Sequence, residues 1–366
     1  MIELQSVAKQ YLYGARLFGN FDLKIADGEI FAVLGDEQSG KTSLIKTIGG
    51  VTDCEGRALI NGKDVCTKTD DVIIIFDDLA LFENRTFYYN LAYPLKIRGY
   101  DKQKIDEAVQ KSADRMGIVA CLGERVKKMP LIDRKRLAVA RLFLRDAKVV
   151  LIDNITKGLC ASEEKELWGE VAPILIEKAR QGVSVVFATD KKSEAVSIAD
   201  RIAVLHYGDV KQVGSVQDIC ERPANVWAAQ AMDADYRFER VALREKDGKC
   251  VALFDAEARF NPDTLQKDTE DKIEVALPFE KEDVVDGYIG KDVYIGWNCQ
   301  NYDLQGGRKT TVKYALADGD GYVLVCENGL RIASKDKLDS VGTLPNVKGV
   351  CLFDGTNENS ILKKYR

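Results

Sequence analysis

Residues 29–50, EIFAVLGDEQSGKTSLIKTIGG, decide the fold. The first six form a short apolar run between polar and glycine residues, the pattern of a buried strand. GDEQSGKT follows at 35–42, and KTSLIKTIGG carries apolar residues at helical spacing until two glycines stop it. Strand, glycine-bounded loop and helix in that order make a phosphate-binding loop. Gly35 and Gly40 let the backbone wrap an anion, with Gln38 and Ser39 between them, so that main-chain N–H groups face it at a helix N-terminus. Lys41 would reach the β- and γ-phosphates of a nucleotide, and Thr42 would offer its hydroxyl to Mg²⁺.

Two more buried-strand patterns lie downstream, VVLID at 149–153 and VSVVFAT at 183–189. Both are expected to pair in parallel beside the loop strand. Asp153 ends the first and has two readings, a Mg²⁺ partner at the strand tip or a cap on the next turn. Tyr11 and Tyr13 also have two, adenine-stacking ring or packed aromatic. Residues 85–128 are mostly helical in pattern, clearest in IDEAVQKSADRMGIV, and suggest an inserted helical lobe. From about residue 236 short alternating segments (CVALF, KIEVALPF, DVYIGW, GYVLVC, GVCLFD) separated by Gly, Asp and Asn suggest a small all-β barrel or sandwich, with the boundary near 233–237.

The bulk numbers narrow the classes. A chain of 366 residues suits two domains, and 46% hydrophobic with 30% charged residues is a globular balance that argues against disorder. Lys+Arg 53 against Asp+Glu 58, with the signs intermixed, leaves no nucleic-acid footprint. Nine cysteines without a CxxC pair argue against a metal cluster or a disulfide framework, and the opening MIELQSVAKQ has no secretory pattern, so a reducing cytoplasm is expected. No apolar run approaches the roughly 18 residues of a membrane span. The single histidine, His206, sits in RIAVLHYGDV, a strand running into a hairpin, and reads as a structural or surface residue rather than a catalytic one.

The segments VAKQY…DLKIADGEIFAVLG, LALFENRTFYYNLAYPLKIRG, RKRLAVARLFLRDAKVVLID and ADRIAVLHYGDVKQVGSVQDICERPAN, in that order, resemble the ATP-binding subunits of ABC transporters, especially those of maltose-type sugar importers. DVYIGWNCQNYDL and CLFDGTNENSIL are similar to the OB-like regulatory domain of that family. The resemblance implies an α/β P-loop ABC-type nucleotide-binding domain over 1–235, with its helical lobe at about 85–145, followed by an OB-like β domain over 236–366. It implies ATP or ADP with Mg²⁺ as cofactors. The implied partners are membrane permease subunits and a second ATP-binding subunit, in a homo- or heterodimer, with no nucleic acid. The implied place is cytoplasmic, peripheral on the inner face of the cell membrane.

Against that resemblance the catalytic motifs depart one after another. The family's γ-phosphate- and Mg²⁺-sensing Gln aligns with Asp77, an anion that would bind metal but repel phosphate in its absence. The LSGGQ signature aligns with Met129, Pro130, Leu131, Ile132 and Asp133. Pro130 offers neither hydroxyl nor N–H, and Leu131 and Ile132 place side chains where backbone must come close. The Glu that orients or activates water aligns with Asn154, which is no general base. The SNLD-type loop has become Lys157, Gly158, Leu159 and Cys160, without its acid. The switch histidine aligns with Asp190. Each family active site joins the loop of one subunit to the signature of the other, so both composite sites of a dimer are affected. The expected protein binds nucleotide and hydrolyses it very weakly or not at all. Two alternatives stand beside it: an ATPase in which Asp77 or Asp190 replaces the missing groups, and a non-transport scaffold that retains the fold.

Overall fold

A computed structural model describes residues 1–10, 16–65, 71–232, 237–255, 272–289, 291–297, 302–303, 309–318, 321–326, 331–334, 340–342, 344–345, 350–354 and 359–360. Tyr11 and Tyr13 lie outside the described residues. The chain forms two compact units, Met1–Val216 and Gln217–Arg366.

In the first unit the strands are β1 (Ile2–Gln10), β2 (Arg16–Ile25), β3 (Ile30–Gly35), β4 (Glu55–Ile60), β5 (Lys63–Asp64), β6 (Val72–Ile75), β7 (Val149–Asp153), β8 (Ser184–Thr189), β9 (Arg201–His206) and β10 (Asp209–Ser215). The helices are α1 (Lys41–Ile48), α2 (Phe87–Ile97), α3 (Lys102–Arg115), α4 (Leu131–Ala140), α5 (Ala161–Arg180) and α6 (Lys192–Ile198). Six strands form one sheet in the order β10-β9-β3-β8-β7-β6, parallel except for the β9–β10 hairpin. The strands β3, β7 and β8 are buried at every position, as expected for β-branched and apolar runs covered on both faces. All three match the sequence reading closely, with one difference. The strand of Asp153 does not adjoin the loop strand, because β8 lies between them.

An antiparallel sheet, β2-β1-β4-β5, shares a core with this sheet through α1. Leu44, Ile45 and Ile48 of α1 are fully buried in that cluster, together with Ile2, Leu4 and Phe31. The helix behind the phosphate loop is thereby fixed on two sides, and the loop inherits its rigidity.

The segment between β6 and β7 is helical and carries α2, α3 and α4. Thr86 and Asp101 cap the first two by accepting from Tyr89 N and Lys104 N. The helical pattern runs past residue 128, since α4 begins at Leu131. Arg141, at the end of α4, donates to Leu79 O, Ala80 O and Asn90 Oδ1 at 3.1–3.3 Å, and burial pushes its pKa down to about 10. Leu79 and Ala80 both have positive φ, so Arg141 holds a strained turn just beyond Asp77.

The second unit begins with short helices at Val226–Met232 and just before it, followed by antiparallel strands. Five of these, Lys272–Glu280, Lys249–Asp255, Arg237–Lys246, Asp292–Trp297 and Val350–Asp354, form one sheet in that order. Four more, Arg331–Ser334, Gly321–Cys326, Lys309–Asp318 and Ser340–Gly342, form another. The alternating segments of the sequence fall on these strands. Among the described residues no helix is long and apolar enough to cross a membrane.

Candidate functional site

At the C-terminal end of β3 the loop of residues 35–42 closes around a cleft of about 360 Å³, lined by residues 37–43 with Asn154, Lys157 and Asp190. That volume falls at the small end of ligand sites. The position is the crevice outside the carboxyl ends of parallel strands, where α/β sheets bind ligands.

Two glycines of the loop are required by geometry. A Cβ on Gly35 would stand 2.4 Å from Leu205 O and 2.6 Å from Ser39 Oγ, and Gly40 has φ of 100°. Gln38 also takes a positive φ, 64°, at the loop's tip. The β9–β10 turn braces the loop from behind, with Gly208 N donating to Ser39 O at 3.0 Å. His206 ends β9 there, with Nδ1 3.6 Å from Asp36 Oδ2, in the hairpin setting read from the sequence.

Lys41 is 5% exposed. Its ammonium donates to Gly35 O and Asp36 O, each at 2.6 Å, and to Ser39 Oγ at 3.4 Å. Burial lowers its pKa, and Asp190, followed by Asp153 and Asp36, acts in the opposite direction. Asp153 is fully buried at the tip of β7. Burial raises its pKa, a hydrogen bond from Thr42 opposes that rise, and its Oδ2 has no protein partner. A hydroxyl and a carboxylate with a buried, unsatisfied oxygen suit a hard cation that keeps water or phosphate in its other positions, so Thr42 and Asp153 fit Mg²⁺.

Asn154 lies in the cleft with φ of 44°, a conformation Asn tolerates better than most residues. Its Nδ2 donates to Asp153 Oδ1 at 3.3 Å, while its Oδ1 is buried without a partner. Asp190 lines the same cleft, just past the end of β8.

Lys157, in the sequence only a lost motif position, has a place in this cleft. Lys157 Nζ lies 3.4 Å from Asp77 Oδ2 and 3.7 Å from Glu37 Oε1, so it joins the phosphate loop to the segment after β6. Asp77, and then Glu37, push its pKa up. The anion at 77, expected to face phosphate or metal, faces an ammonium. The signal was present in the sequence, since two departures from the family pattern introduce opposite charges, but nothing in the sequence places residues 77 and 157 side by side.

A buried network holds the loops that carry these groups. Glu194 of α6, 4% exposed, accepts from Thr156 Oγ1 at 2.5 Å and from Thr189 Oγ1 at 2.6 Å. Lys191 joins it by donating to Thr156 Oγ1 at 3.1 Å and pairing with Glu164 at 2.5 Å. Thr156 precedes Lys157 and Thr189 precedes Asp190, so one carboxylate positions both sides of the cleft. Glu194→Ala is expected to destabilise the unit by about 2–4 kcal/mol, because two buried hydroxyls and an ammonium lose their acceptor. Denaturant unfolding of the full chain checks this.

The residues aligned with the signature do not reach this cleft. Pro130 is the N-cap of α4 and gives it no side-chain hydrogen bond, and Arg134 donates to Met129 O and Lys127 O at 2.8 and 2.9 Å. Ile132 is buried, and Leu131 is half exposed against Gly158. Asp133 is committed to Arg136 at 3.1 Å, and Arg136 also binds Glu166 and Glu170 of α5. Hydrogen bonding, to Glu170 above all, holds the Arg136 guanidinium protonated beyond its ordinary range.

A β3–loop–α1 unit inside a largely parallel sheet, with a helical insertion before the strand of Asp153, defines a P-loop nucleotide-binding protein. The family model for ABC transporters matches residues 18–157. The sn-glycerol-3-phosphate import ATP-binding protein UgpC of Vibrio vulnificus is 30% identical over 68% of this chain and 67% of its own length. The multiple sugar-binding transport ATP-binding protein MsmK of Streptococcus mutans is 29% identical over 66% of this chain and 68% of its own. Several other relatives are matched over only 58–64% of their length. Among solved structures, the post-hydrolysis dimer of the ATP-binding cassette MJ0796 with ADP and Pi covers 59% of the chain, with TM-score 0.53 and 20% identity, a likeness of fold. The chain belongs to the ATP-binding subunit family of ABC transporters.

Proposed function

We propose that the chain is the nucleotide-binding subunit of a sugar-type ABC importer that holds nucleotide without turning it over. The observation that carries this reading is the composition of one cleft: an intact phosphate loop with Lys41 and Thr42 in place, the buried Asp153 bonded to that Thr42, and Asn154 and Asp190 where hydrolysis needs a base and a switch histidine. ATP or ADP would lie on Gly35, Gln38, Ser39, Gly40, Lys41 and Thr42. Mg²⁺ would be held by Thr42 and Asp153 and would supply positive charge against the terminal phosphates. Asn154 has no proton-accepting group at neutral pH, and Asp190, when ionised, offers no donor to a γ-phosphate.

The functional division proposed with this is a nucleotide-binding part over 1–235, a helical lobe at about 85–145 and an OB-like regulatory part over 236–366. The partners proposed are membrane permeases and a second ATP-binding subunit, in a homo- or heterodimer on the inner face of the membrane. With Leu131 and Ile132 in place of glycines, this chain is a structural or regulatory half of that dimer. Calorimetric titration with ATP and ADP, together with phosphate release by the complex as purified, tests the reading. Binding without turnover supports it. Turnover that survives Asn154→Ala and disappears in Lys41→Ala would favour an ATPase of altered chemistry instead.

Asp153 offers a separate check. Because burial holds its pKa above the ordinary carboxylate value, the cost of keeping it ionised is present above that raised pKa and vanishes as pH falls towards 3.8. Asp153→Asn is therefore expected to raise the Tm of the nucleotide-free protein by roughly 2–5 °C at pH 7, with the gain shrinking as the pH is lowered. The same change should remove the further stabilisation that Mg²⁺ gives in the presence of ATP. Melting curves at pH 5 and 7, with and without Mg²⁺ and ATP, measure both effects.

A further inference from the structure

We infer that Lys157 is a phosphate-binding residue of the cleft and lets the protein hold a nucleoside triphosphate without a divalent cation. The inference rests on the nucleotide-binding reading above and adds to it the way in which the terminal phosphates are neutralised.

Two ammonium groups line the cleft, and they differ in what they do. Lys41 is buried and turned onto its own loop, with Gly35 O, Asp36 O and Ser39 Oγ as acceptors. Lys157 is 45% exposed, and its carboxylate neighbours stand at 3.4 and 3.7 Å. Those separations exceed the 2.7–2.9 Å of a direct charge-assisted hydrogen bond. A loose ion pair on a half-exposed side chain is worth little, so a phosphate that brings more charge and several acceptor oxygens can displace it. Lys is a point-charge binder of phosphate, with three donors on a flexible stem.

The position of Lys157 is fixed by the backbone. Lys157 N donates to Asn154 O at 3.0 Å, Gly158 follows with φ of 83°, and Thr156 before it is anchored to Glu194. The side chain consequently issues from a defined point beside Asn154, between Glu37 of the phosphate loop and Asp77. The acids around the cleft make the charge balance demanding. Glu37 and Asp190 line it and the buried Asp153 is hydrogen-bonded to Thr42 of its wall, while a triphosphate adds further negative charge. A second cation held by the chain itself supplies part of what a divalent ion otherwise supplies.

The test is equilibrium binding of ATP and of inorganic tripolyphosphate to the full chain, in millimolar Mg²⁺ and in excess EDTA. The proteins compared are the wild type, Lys157→Met and Lys157→Arg, with thermal melting to confirm that each variant is folded. The wild type is expected to lose less than about 10-fold in ATP affinity on going from Mg²⁺ to EDTA. Lys157→Met should lose about 30-fold or more relative to wild type in EDTA but only a few-fold in Mg²⁺, and Lys157→Arg should recover most of the loss. Wild-type binding that disappears in EDTA while persisting in Mg²⁺ would overturn the inference and leave the nucleotide-binding reading standing. Equal affinity of wild type and Lys157→Met in EDTA would do the same. Absence of binding in both media would overturn both.

Discussion

Lys41→Ala is expected to weaken ATP and ADP binding by about 100-fold or more. Two contributions are lost together. The ammonium is the buried cation of the loop, 5% exposed, and no other Lys or Arg lies among the residues that form the loop and the start of α1 up to Ser43. It also ties the loop's own ends, through Gly35 O and Asp36 O at 2.6 Å, so its removal leaves two carbonyls to find other partners. The core under α1 is untouched, because Leu44, Ile45 and Ile48 pack independently of the Lys41 side chain. The variant should accordingly fold, and fluorescence titration with a labelled nucleotide beside a melting curve separates lost binding from lost structure.

The second large effect is expected on turnover. Phosphate release by the complex as purified should fall at or below about a thousandth of the rate of an ATPase with an intact base and switch, since each such group contributes about 10²–10⁴. Restoring the base alone, as Asn154→Glu, should raise that rate by less than about 10-fold. Groups that act as a unit do not recover singly, and Asp190 would still stand across the cleft. The backbone adds a further obstacle. Residue 154 has φ of 44°, where Glu carries a steric cost of about 1 kcal/mol that Asn largely escapes. A steady-state phosphate assay on wild type and Asn154→Glu measures this, and a rise of 100-fold or more from the single change would mean that the remaining machinery is intact.

Much of this site was legible in the sequence because its parts are local. The strand, loop and helix around Gly35–Ile48 are consecutive, and Lys41 and Thr42 follow from their place in the loop. VVLID and VSVVFAT are short, apolar and β-branched, so their burial follows from composition, and the strand-end positions of Asp153 and Asp190 follow from that. The order of strands was less accessible. That β8 separates β7 from β3 depends on crossovers that no local pattern records. The ion pair of Lys157 with Asp77 joins residues far apart in the chain, and the carboxylate of Glu194 lies between two loops that the sequence shows only as polar ends of strands. Lys135 is a further example. It falls within a run that reads as an ordinary helix, yet it is 1% exposed, with burial lowering its pKa and Asp77 as the largest opposing influence. Charge in a helical sequence normally signals a solvent face, and only the packing of α4 shows otherwise.

These groups also bear on how the departures from the family pattern are understood. Asp77, Lys157 and Lys135 influence one another in a single charged neighbourhood, and Glu194 and Lys191 organise the adjoining loops. The opposite charges of Asp77 and Lys157 are paired, which is compatible with the proposed retention of a bound nucleotide.

The most direct measurement is a chase of labelled ATP with Mg²⁺, held below the concentration of the purified complex and followed until binding has reached equilibrium. Label recovered in the bound fraction as intact ATP after an hour is the predicted result. Conversion of the bound label to ADP within seconds would contradict it.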